Sequence, residues 1–173
     1  MTTDYRIGIG HDTHRLSAGG PLRLGGVDIE FDKHLEGHSD ADVLLHAVTD
    51  ALLGAANLGD IGEMFPNTDP KNAGRDSSDM LSAAAERVIS LGWKVANLDC
   101  VVLAERPRIL DHRDSIQHRL SEILVLRQDQ VSVKGKTGEG IGPVGEGLVI
   151  QAQCVCLLQR IEKGRTDYGG IGF

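Results

Sequence analysis

Residues 38–56 read HSDADVLLHAVTDALLGAA. From Ser39 onward the apolar residues recur every three or four positions, which predicts an amphipathic helix with one buried face. Ser39 and Asp42 have the spacing of a capping box at the start of this helix, and Gly59 is expected to end it. The apolar stripe consists of Leu44, Ala47, Val48, Ala51, Leu52 and Ala55.

Strand-like segments lie on both sides of this helix. Residues 5–10 alternate apolar with small or polar side chains and lead into a polar cluster at 11–14, which predicts a strand that presents side chains at its carboxyl end. The pair Gly25-Gly26 between two apolar triplets predicts a hairpin. Later strands are predicted at 98–103, 131–134 and 148–158, and further helices at 77–91 and 116–124.

The order of these elements, roughly βββααβαβ, favours an α+β fold. We expect a two-layer sandwich with one mixed β-sheet and its helices on one face. Residues 1–160 are predicted to form a single domain, and residues 161–173 a polar C-terminal tail. Because one layer of helices leaves the other face of the sheet without a cover, a homo-oligomer is expected.

The composition is that of a folded protein in water, with 40% hydrophobic and 25% charged residues among 173. A net charge of -7 and 3% aromatic residues oppose nucleic-acid binding, which needs a basic surface and stacking rings. No stretch has the length of a membrane span, and the first six residues resemble neither a signal nor a transit peptide, so a cytoplasmic protein is expected. Cys100, Cys154 and Cys156 are expected to be buried thiols.

The first metal-ligand pattern is formed by histidines and aspartates. Asp12 and His14 are two apart on a predicted strand and therefore share a face. If the predicted helix packs against that strand, His46 joins them in the three-ligand arrangement of a catalytic zinc site. Asp42 or Asp50, one turn away on the same side of the helix, would then orient the imidazole. Alternatively, Asp12 and His14 only end the strand, and His46 is an ordinary helix histidine.

Two segments have the chemistry of phosphate sites. His38 and Ser39 precede the predicted helix, whose free N–H groups attract anions, unless Ser39 serves only as a cap. Residues 134–147 contain six glycines, with Lys134 and Lys136 at the start, so this backbone can approach phosphates closely. The segment lacks the first glycine of a P-loop, and too little chain follows it for a dinucleotide-binding unit. A connection without a ligand is the alternative.

Three other segments leave both ligand binding and loop closure open. Residues 60–62 and 65–70 are rich in turn formers whose side chains can bond hydroxyl groups, although such residues more often cap helices and form turns. Residues 104–110 leave a predicted strand with unpaired backbone groups, which suits either a nucleobase or a simple connection.

Together these segments resemble the 2-C-methyl-D-erythritol 2,4-cyclodiphosphate synthases of the non-mevalonate isoprenoid pathway. The resemblance is carried by Asp12-x-His14, residues 38–47, 50–56 and 59–62, and Phe65-Pro66, and it spans about residues 5 to 160. It implies a lyase that cyclises 4-diphosphocytidyl-2-C-methyl-D-erythritol 2-phosphate and releases CMP. It also implies a homotrimer with active sites between neighbouring subunits.

The resemblance further implies roles for individual residues. Asp12, His14 and His46 would hold one zinc ion per chain, and Glu139 a magnesium ion on the substrate diphosphate. The implied substrate contacts are His38, Ser39, Asp60, Gly62, Phe65, Asn67, Ala104, Pro107, Arg108, Ile109, Leu110, Lys134, Gly135, Lys136 and Thr137, of which His38 and Thr137 would also be catalytic. Those from Ala104 onward would form the cytidine-phosphate pocket of the adjacent subunit.

The sequence departs from the family pattern at three places. Asn67 follows Phe-Pro where the family often has an aspartate, and Lys136 replaces a threonine of the phosphate loop. Gly145-Glu146-Gly147 is two residues shorter than the usual Gly-Arg-Gly-Glu-Gly and lacks its arginine. Lys136 is the expected substitute for that arginine.

Two other functions are compatible with the residues alone. A zinc-dependent phosphoester hydrolase would place water at the open metal position. A zinc-stabilised assembly module would need the metal only to fold.

Overall fold

A computed structural model describes residues 4–66 and 68–162. The expected contact at Asn67 and the tail from residue 163 onward lie outside the described residues. The strands are β1 (Tyr5–Ala18), β2 (Leu22–Leu24), β3 (Val27–Ile29), β4 (Lys33–Glu36), β5 (Trp93–Leu103), β6 (Val131–Lys136) and β7 (Val149–Arg160). The α-helices are α1 (Val43–Ala56), α2 (Ile61–Met64), α3 (Ser77–Ser90), α4 (Arg113–Leu124) and α5 (Gly142–Gly145).

The fold is α+β, with a mixed five-stranded sheet in the order β4-β1-β7-β5-β6. Only β5 and β6 run parallel, and the other neighbours are antiparallel. The predicted hairpin is confirmed as a separate two-stranded sheet of β2 and β3. Within the described ranges, no helix is long and apolar enough to cross a membrane.

Helix α1 packs directly on β1 because two glycines leave room for its backbone. A Cβ atom on Gly8 would lie 2.0 Å from the carbonyl oxygen of Ala51, and one on Gly10 would lie 1.9 Å from that of Ala47. Residues of β1 alternate between faces, so Asp12 and His14 share the helix-covered face with these glycines. The close approach therefore brings α1 to the part of β1 that carries Asp12.

The start and end of α1 differ from the prediction. Asp42, not Ser39, is the N-cap, and its carboxylate accepts the N–H groups of Leu44 and Leu45. The positive φ of 58° at Ala41 turns the chain just before it, so the helix begins three residues later than the capping-box spacing suggested. At the other end the left-handed residue is Asn57, so Gly59 is not the terminator.

Strands β1 and β5 are much longer than predicted. The polar cluster at 11–14 lies inside β1, which continues to Ala18 because β4 pairs with its last four residues. Strand β5 begins at Trp93, and a register shift between Val95 and Asn97 explains why alternation failed there. The short elements β4, α2 and α5 were not predicted, because four residues are too few to show a periodic pattern.

The two faces of the sheet differ sharply. The helix-covered face is buried and includes Cys100, Cys154 and Cys156, which are free thiols as predicted. On the opposite face, Ile7 is 74% and Ile9 69% exposed. The expectation of helices on one face is confirmed, and an apolar surface remains on the other.

Candidate active site

Asp12, His14 and His46 lie together, as predicted, and are called the metal group here. Asp12 Oδ2 is 2.9 Å from both His14 Nε2 and His46 Nδ1, and the two ring nitrogens are 3.1 Å apart. In a tetrahedral zinc site with bonds of about 2.0–2.1 Å, ligand atoms are roughly 3.3 Å apart. The three atoms thus need only small outward shifts to surround a metal ion.

The tautomer of His14 also suits a metal ion. Its Nδ1 donates to the carbonyl oxygen of Glu36 at 2.7 Å, and a carbonyl can only accept. In neutral His14, therefore, the lone pair of Nε2 faces the carboxylate oxygen of Asp12. Two lone pairs facing each other repel, and a cation between them removes the repulsion.

In the metal-free protein, charge interactions shift the pKa values of both His14 and Asp12. Burial alone would lower the pKa of His14, but hydrogen bonding and attraction to Asp12 outweigh it and raise that pKa above its ordinary value. Burial alone would raise the pKa of Asp12, but hydrogen bonds from His14 and His46 hold it well below its usual range. When His14 is protonated, the proton on its Nε2 lies where a metal ion would bind.

The partners of His46 differ from the prediction. Its Nε2 is 2.9 Å from Ser39 Oγ and 2.9 Å from Ser77 Oγ. Asp42 accepts N–H groups of Gly25 and Gly26 at 2.8 and 2.6 Å, and Asp50 accepts that of Ile61 at 2.8 Å. The prediction that Asp42 or Asp50 orients the imidazole is wrong, because both ring nitrogens of His46 contact other groups.

A cavity of about 200 Å³ opens beside the metal group. The predicted contacts His38, Ser39, Gly62 and Phe65 line it. Phe65 is held by Arg75, whose guanidinium carbon lies 4.8 Å from the ring centre. Ile61, from the predicted segment 60–62, also lines it, whereas the sequence did not point to two further lining residues, Asn72 and Met80.

A second cavity, of about 470 Å³, is called the cationic pocket here. It joins the two predicted segments, since Ala104 donates its N–H to the carbonyl oxygen of Lys136 at 2.9 Å. Gly135 is needed there, because a Cβ atom would lie 2.7 Å from Ile109 Cβ. Its predicted lining residues are Ala104, Arg108, Ile109, Leu110, Lys134, Gly135, Lys136 and Thr137, and Glu105, Arg113 and Val133 join them.

The glycine-rich loop after β6 is tied down at its start. Glu105 Oε2 accepts the N–H of Gly138 at 3.1 Å, and Thr137 Oγ1 donates to Glu139 Oε1 at 2.6 Å. Glu139 has a positive φ of 53°. Asp60, Pro107 and Glu139 are not among the described residues that line these two cavities, and the Asp60 side chain caps α2 instead.

The two cavities lie at the same level of the sheet. Asp12 pairs with Ala152, Ala152 with Val102, and Val102 with Gly135, which forms a straight row across β1, β7, β5 and β6. Three strand spacings separate the ends of this row, about 14 Å. The metal group and the cationic pocket of one chain are therefore neighbours that do not merge.

Sequence comparisons identify relatives over nearly the whole chain. The model of the YgbB family matches residues 5–159. A 2-C-methyl-D-erythritol 2,4-cyclodiphosphate synthase from Gemmatimonas aurantiaca is 53% identical over 159 residues, covering 91% of this chain and 96% of that protein. The enzyme of the same name from Treponema denticola is 49% identical, covering 88% and 95%.

Solved structures of proteins with the same name have a similar fold. A 2C-methyl-D-erythritol-2,4-cyclodiphosphate synthase bound to CDP has a TM-score of 0.83 at 40% identity, covering 89% of this chain and 100% of that one. The bifunctional IspDF from Campylobacter jejuni has a TM-score of 0.88 at 35% identity, covering 91% of this chain. This chain spans only 43% of that longer protein. The chain therefore belongs to the YgbB family, the enzyme family of the 2-C-methyl-D-erythritol 2,4-cyclodiphosphate synthases.

Proposed function

We propose that this chain cyclises 4-diphosphocytidyl-2-C-methyl-D-erythritol 2-phosphate to 2-C-methyl-D-erythritol 2,4-cyclodiphosphate in non-mevalonate isoprenoid biosynthesis. A 2-phosphate oxygen attacks the β-phosphorus, a new P–O bond forms, and the bond to the α-phosphate breaks. CMP leaves with the electron pair of that bond. The observation that carries the proposal is the metal group beside a cavity at the level of a cationic pocket, in a chain of this family.

In this proposal, Asp12, His14 and His46 would hold one zinc ion, which would polarise a phosphate oxygen of the substrate. Their mixed nitrogen and oxygen donors, with atoms 2.9–3.1 Å apart, support that choice. Glu139 would hold magnesium, because a hard cation on phosphates prefers a carboxylate. When bound, the two ions neutralise and polarise phosphate oxygens.

The protein residues mainly position the substrate. His38 and Ser39 line the cavity beside the metal group, where they contact phosphate, and Thr137 acts beside the diphosphate. Lys134, Lys136 and Arg108 supply positive charge at the cationic pocket. Alignment of this kind contributes up to about 7–11 kcal/mol to lowering a barrier, so no protein nucleophile is required.

The remaining predicted substrate contacts are also divided between the cavity beside the metal group and the cationic pocket. Asp60, Gly62, Phe65 and Asn67 bind on the erythritol side of the substrate. Ala104, Pro107, Ile109, Leu110 and Gly135 bind the cytidine, a nucleoside that is also part of the CDP in the related synthase structure described above.

We also propose a homotrimer in which the cavity beside the metal group of one chain faces the cationic pocket of the next. Neighbouring phosphates of one substrate are far closer together than the roughly 14 Å between the two sites of a single chain. The exposed Ile7, Ile9 and Val155 on the open face of the sheet offer apolar area for assembly. Three free thiols and an acidic chain fit a cytoplasmic enzyme without a nucleic-acid partner.

One assay separates this function from a zinc-dependent phosphoester hydrolase. The protein is incubated with the cytidyl substrate, zinc and magnesium in water enriched in heavy oxygen, and the products are weighed by mass spectrometry. We expect CMP and the cyclic diphosphate without solvent oxygen. A ring-opened phosphate that carries heavy oxygen would establish the hydrolase instead.

A further inference from the structure

A buried serine lies behind the metal group, on the side away from the ligand atoms. Ser77, the first residue of α3, is fully buried, and its Oγ is 2.9 Å from His46 Nε2. The same hydroxyl donates a short hydrogen bond to Asp40 Oδ1. The backbone N–H of Ser77 donates to Asp40 Oδ2 at 3.1 Å. Asp40, Ser77 and His46 thus form a continuous chain of contacts.

The hydrogen positions along this chain are determined by its two ends. A carboxylate can only accept, so the hydroxyl hydrogen of Ser77 points to Asp40. His46 Nδ1 faces Asp12 and His14 and would offer its lone pair to a bound metal ion, so in the metal-bound protein the ring hydrogen is on Nε2. The oxygen of Ser77 has a free lone pair towards that Nε2–H. With a metal ion bound, this tautomer of His46 satisfies all three groups.

Asp40 is itself held in place from two sides. Arg23 of the hairpin strand β2 lies with Nε 3.8 Å from Asp40 Oδ2. The backbone N–H of Asp40 donates to the carbonyl oxygen of Arg75 at 3.2 Å. The carboxylate therefore has a fixed position and a nearby positive charge, which favours its role as an acceptor.

Ser39 contacts the same nitrogen but differs from Ser77. Its Oγ already accepts the N–H of Ala41 at 3.2 Å, and it lines the cavity where the substrate is expected. If Nε2–H donates to Ser77, the hydroxyl hydrogen of Ser39 is available to a phosphate oxygen. Two serines at equal distance from His46 thus have separate tasks.

We propose that Asp40 and Ser77 are positioning residues that fix the tautomer and orientation of His46 and thereby strengthen metal binding. The inference rests on the proposed role of His46 as a ligand. Partners of this kind typically change metal affinity by about 10–100-fold when they are removed. Because Asp40 acts through Ser77, the two effects overlap and do not multiply.

The test measures the zinc affinity of the purified full chain by competition with a chromophoric chelator. We compare the unchanged protein with Ser77→Ala, Asp40→Asn and the double variant. Ser82→Ala is the matched control, since Ser82 lies on the same helix and its hydroxyl donates to the carbonyl oxygen of Ser78 at 2.9 Å, away from the metal group. Thermal unfolding of each metal-free variant shows whether the fold is intact. If Asp40→Asn does not fold, Ser77→Ala against Ser82→Ala decides alone.

We expect Ser77→Ala to weaken zinc binding about tenfold or more and Ser82→Ala to leave it unchanged. The double variant should be no more than about twofold weaker than Ser77→Ala. Unchanged affinity in Ser77→Ala overturns the positioning role while the metal site stands. If the losses of zinc affinity in the two single variants multiply in the double variant, Asp40 does not act through Ser77. If the unchanged protein binds no zinc, both this inference and the proposed metal role of His46 fail.

Discussion

The metal group and the cationic pocket lie at the same level of the sheet but are built in opposite ways. The side chain of His46 is 11% exposed and contacts hydrogen-bonding groups on both ring nitrogens. The side chain of Arg108 is 72% exposed, and the glycine-rich loop beside it is joined to other segments by the hydrogen bonds of Gly138 N–H with Glu105 and of Lys33 with the carbonyl oxygen of Gly147. In the proposed trimer, this difference would separate a metal site formed within one chain from a pocket completed by substrate and a neighbouring chain.

The largest effect is expected from removing a ligand of the metal group. His46→Ala should lose its bound zinc and reduce cyclisation by at least about 1,000-fold, because phosphate charge is no longer neutralised. The fold should persist, since the core surrounds α1 on its other sides. Elemental analysis, the CMP-release assay and circular dichroism measure the three outcomes. His118→Ala, on the exposed face of α4, is the control. If the His46→Ala protein still retains zinc, His46 is not a ligand.

The metal group can also be broken without changing any ligand. Gly10→Ala should destabilise the fold by more than about 3 kcal/mol and weaken zinc binding, because its Cβ would meet Ala47 O at 1.9 Å and push α1 from β1. Gly54→Ala adds the same methyl group 3.9 Å from Ile9 O and should stabilise the fold by about 0.5–1 kcal/mol. Urea unfolding and zinc titration are used to compare the two variants. Equal stability of the two variants would contradict the close packing of α1 on β1.

Protons should compete with zinc at the metal group. Since the pKa of His14 is raised above 6.5, protonated His14 excludes the ion at a higher pH than an ordinary histidine would. Zinc affinity should therefore fall by up to about tenfold per pH unit below that pKa.

The stability of the metal-free protein should show the opposite pH dependence and fall as the pH rises. Its stabilisation by protonated His14 is complete below pH 6.5 and is lost as the pH rises through the raised pKa. Calorimetric melting of zinc-free and zinc-loaded protein from pH 5.5 to 8.5 tests this. Parallel pH profiles would show that His14 does not share its position with a metal ion.

A smaller effect is expected at the cationic pocket. Glu105→Gln keeps an acceptor for Gly138 N–H but removes its charge, at a cost of about 1 kcal/mol, or roughly fivefold in affinity. We expect weaker binding of CDP with unchanged zinc content, measured by isothermal titration calorimetry. Glu146→Gln, farther along the loop, is the control. Unchanged CDP affinity in Glu105→Gln would mean that the hydrogen bond between Glu105 and Gly138 does not shape the pocket.

Local patterns in the sequence were sufficient for part of this picture. The apolar stripe of α1 and the Gly25-Gly26 hairpin depend on neighbouring residues, so periodicity and turn chemistry predicted them. The metal group followed from two such elements, because strand spacing placed Asp12 beside His14 and helix spacing placed His46 on a buried face. The family motifs then supplied the activity.

What the sequence did not predict depends on contacts between distant segments. Ser77 lies 31 residues from His46 and Glu105 lies 33 from Gly138, so no local pattern connects them. Asp42 was misassigned because its carboxylate is occupied by the hairpin, 16 and 17 residues earlier. Likewise β1 extends past its polar cluster only because β4 returns to pair with it.

The central claim, that each active site joins the metal group of one chain to the cationic pocket of another, is tested most directly by mixing two inactive variants. His46→Ala lacks the metal group, and a Thr137→Ala, Glu139→Ala double variant lacks the loop. The two are refolded together at equal amounts with different affinity tags, and mixed oligomers are isolated on both tags and assayed for CMP release. Each doubly tagged trimer then has one intact site of three, so about one third of the sites are restored if they lie between chains. Doubly tagged oligomers as inactive as either parent would show that each site is built within one chain.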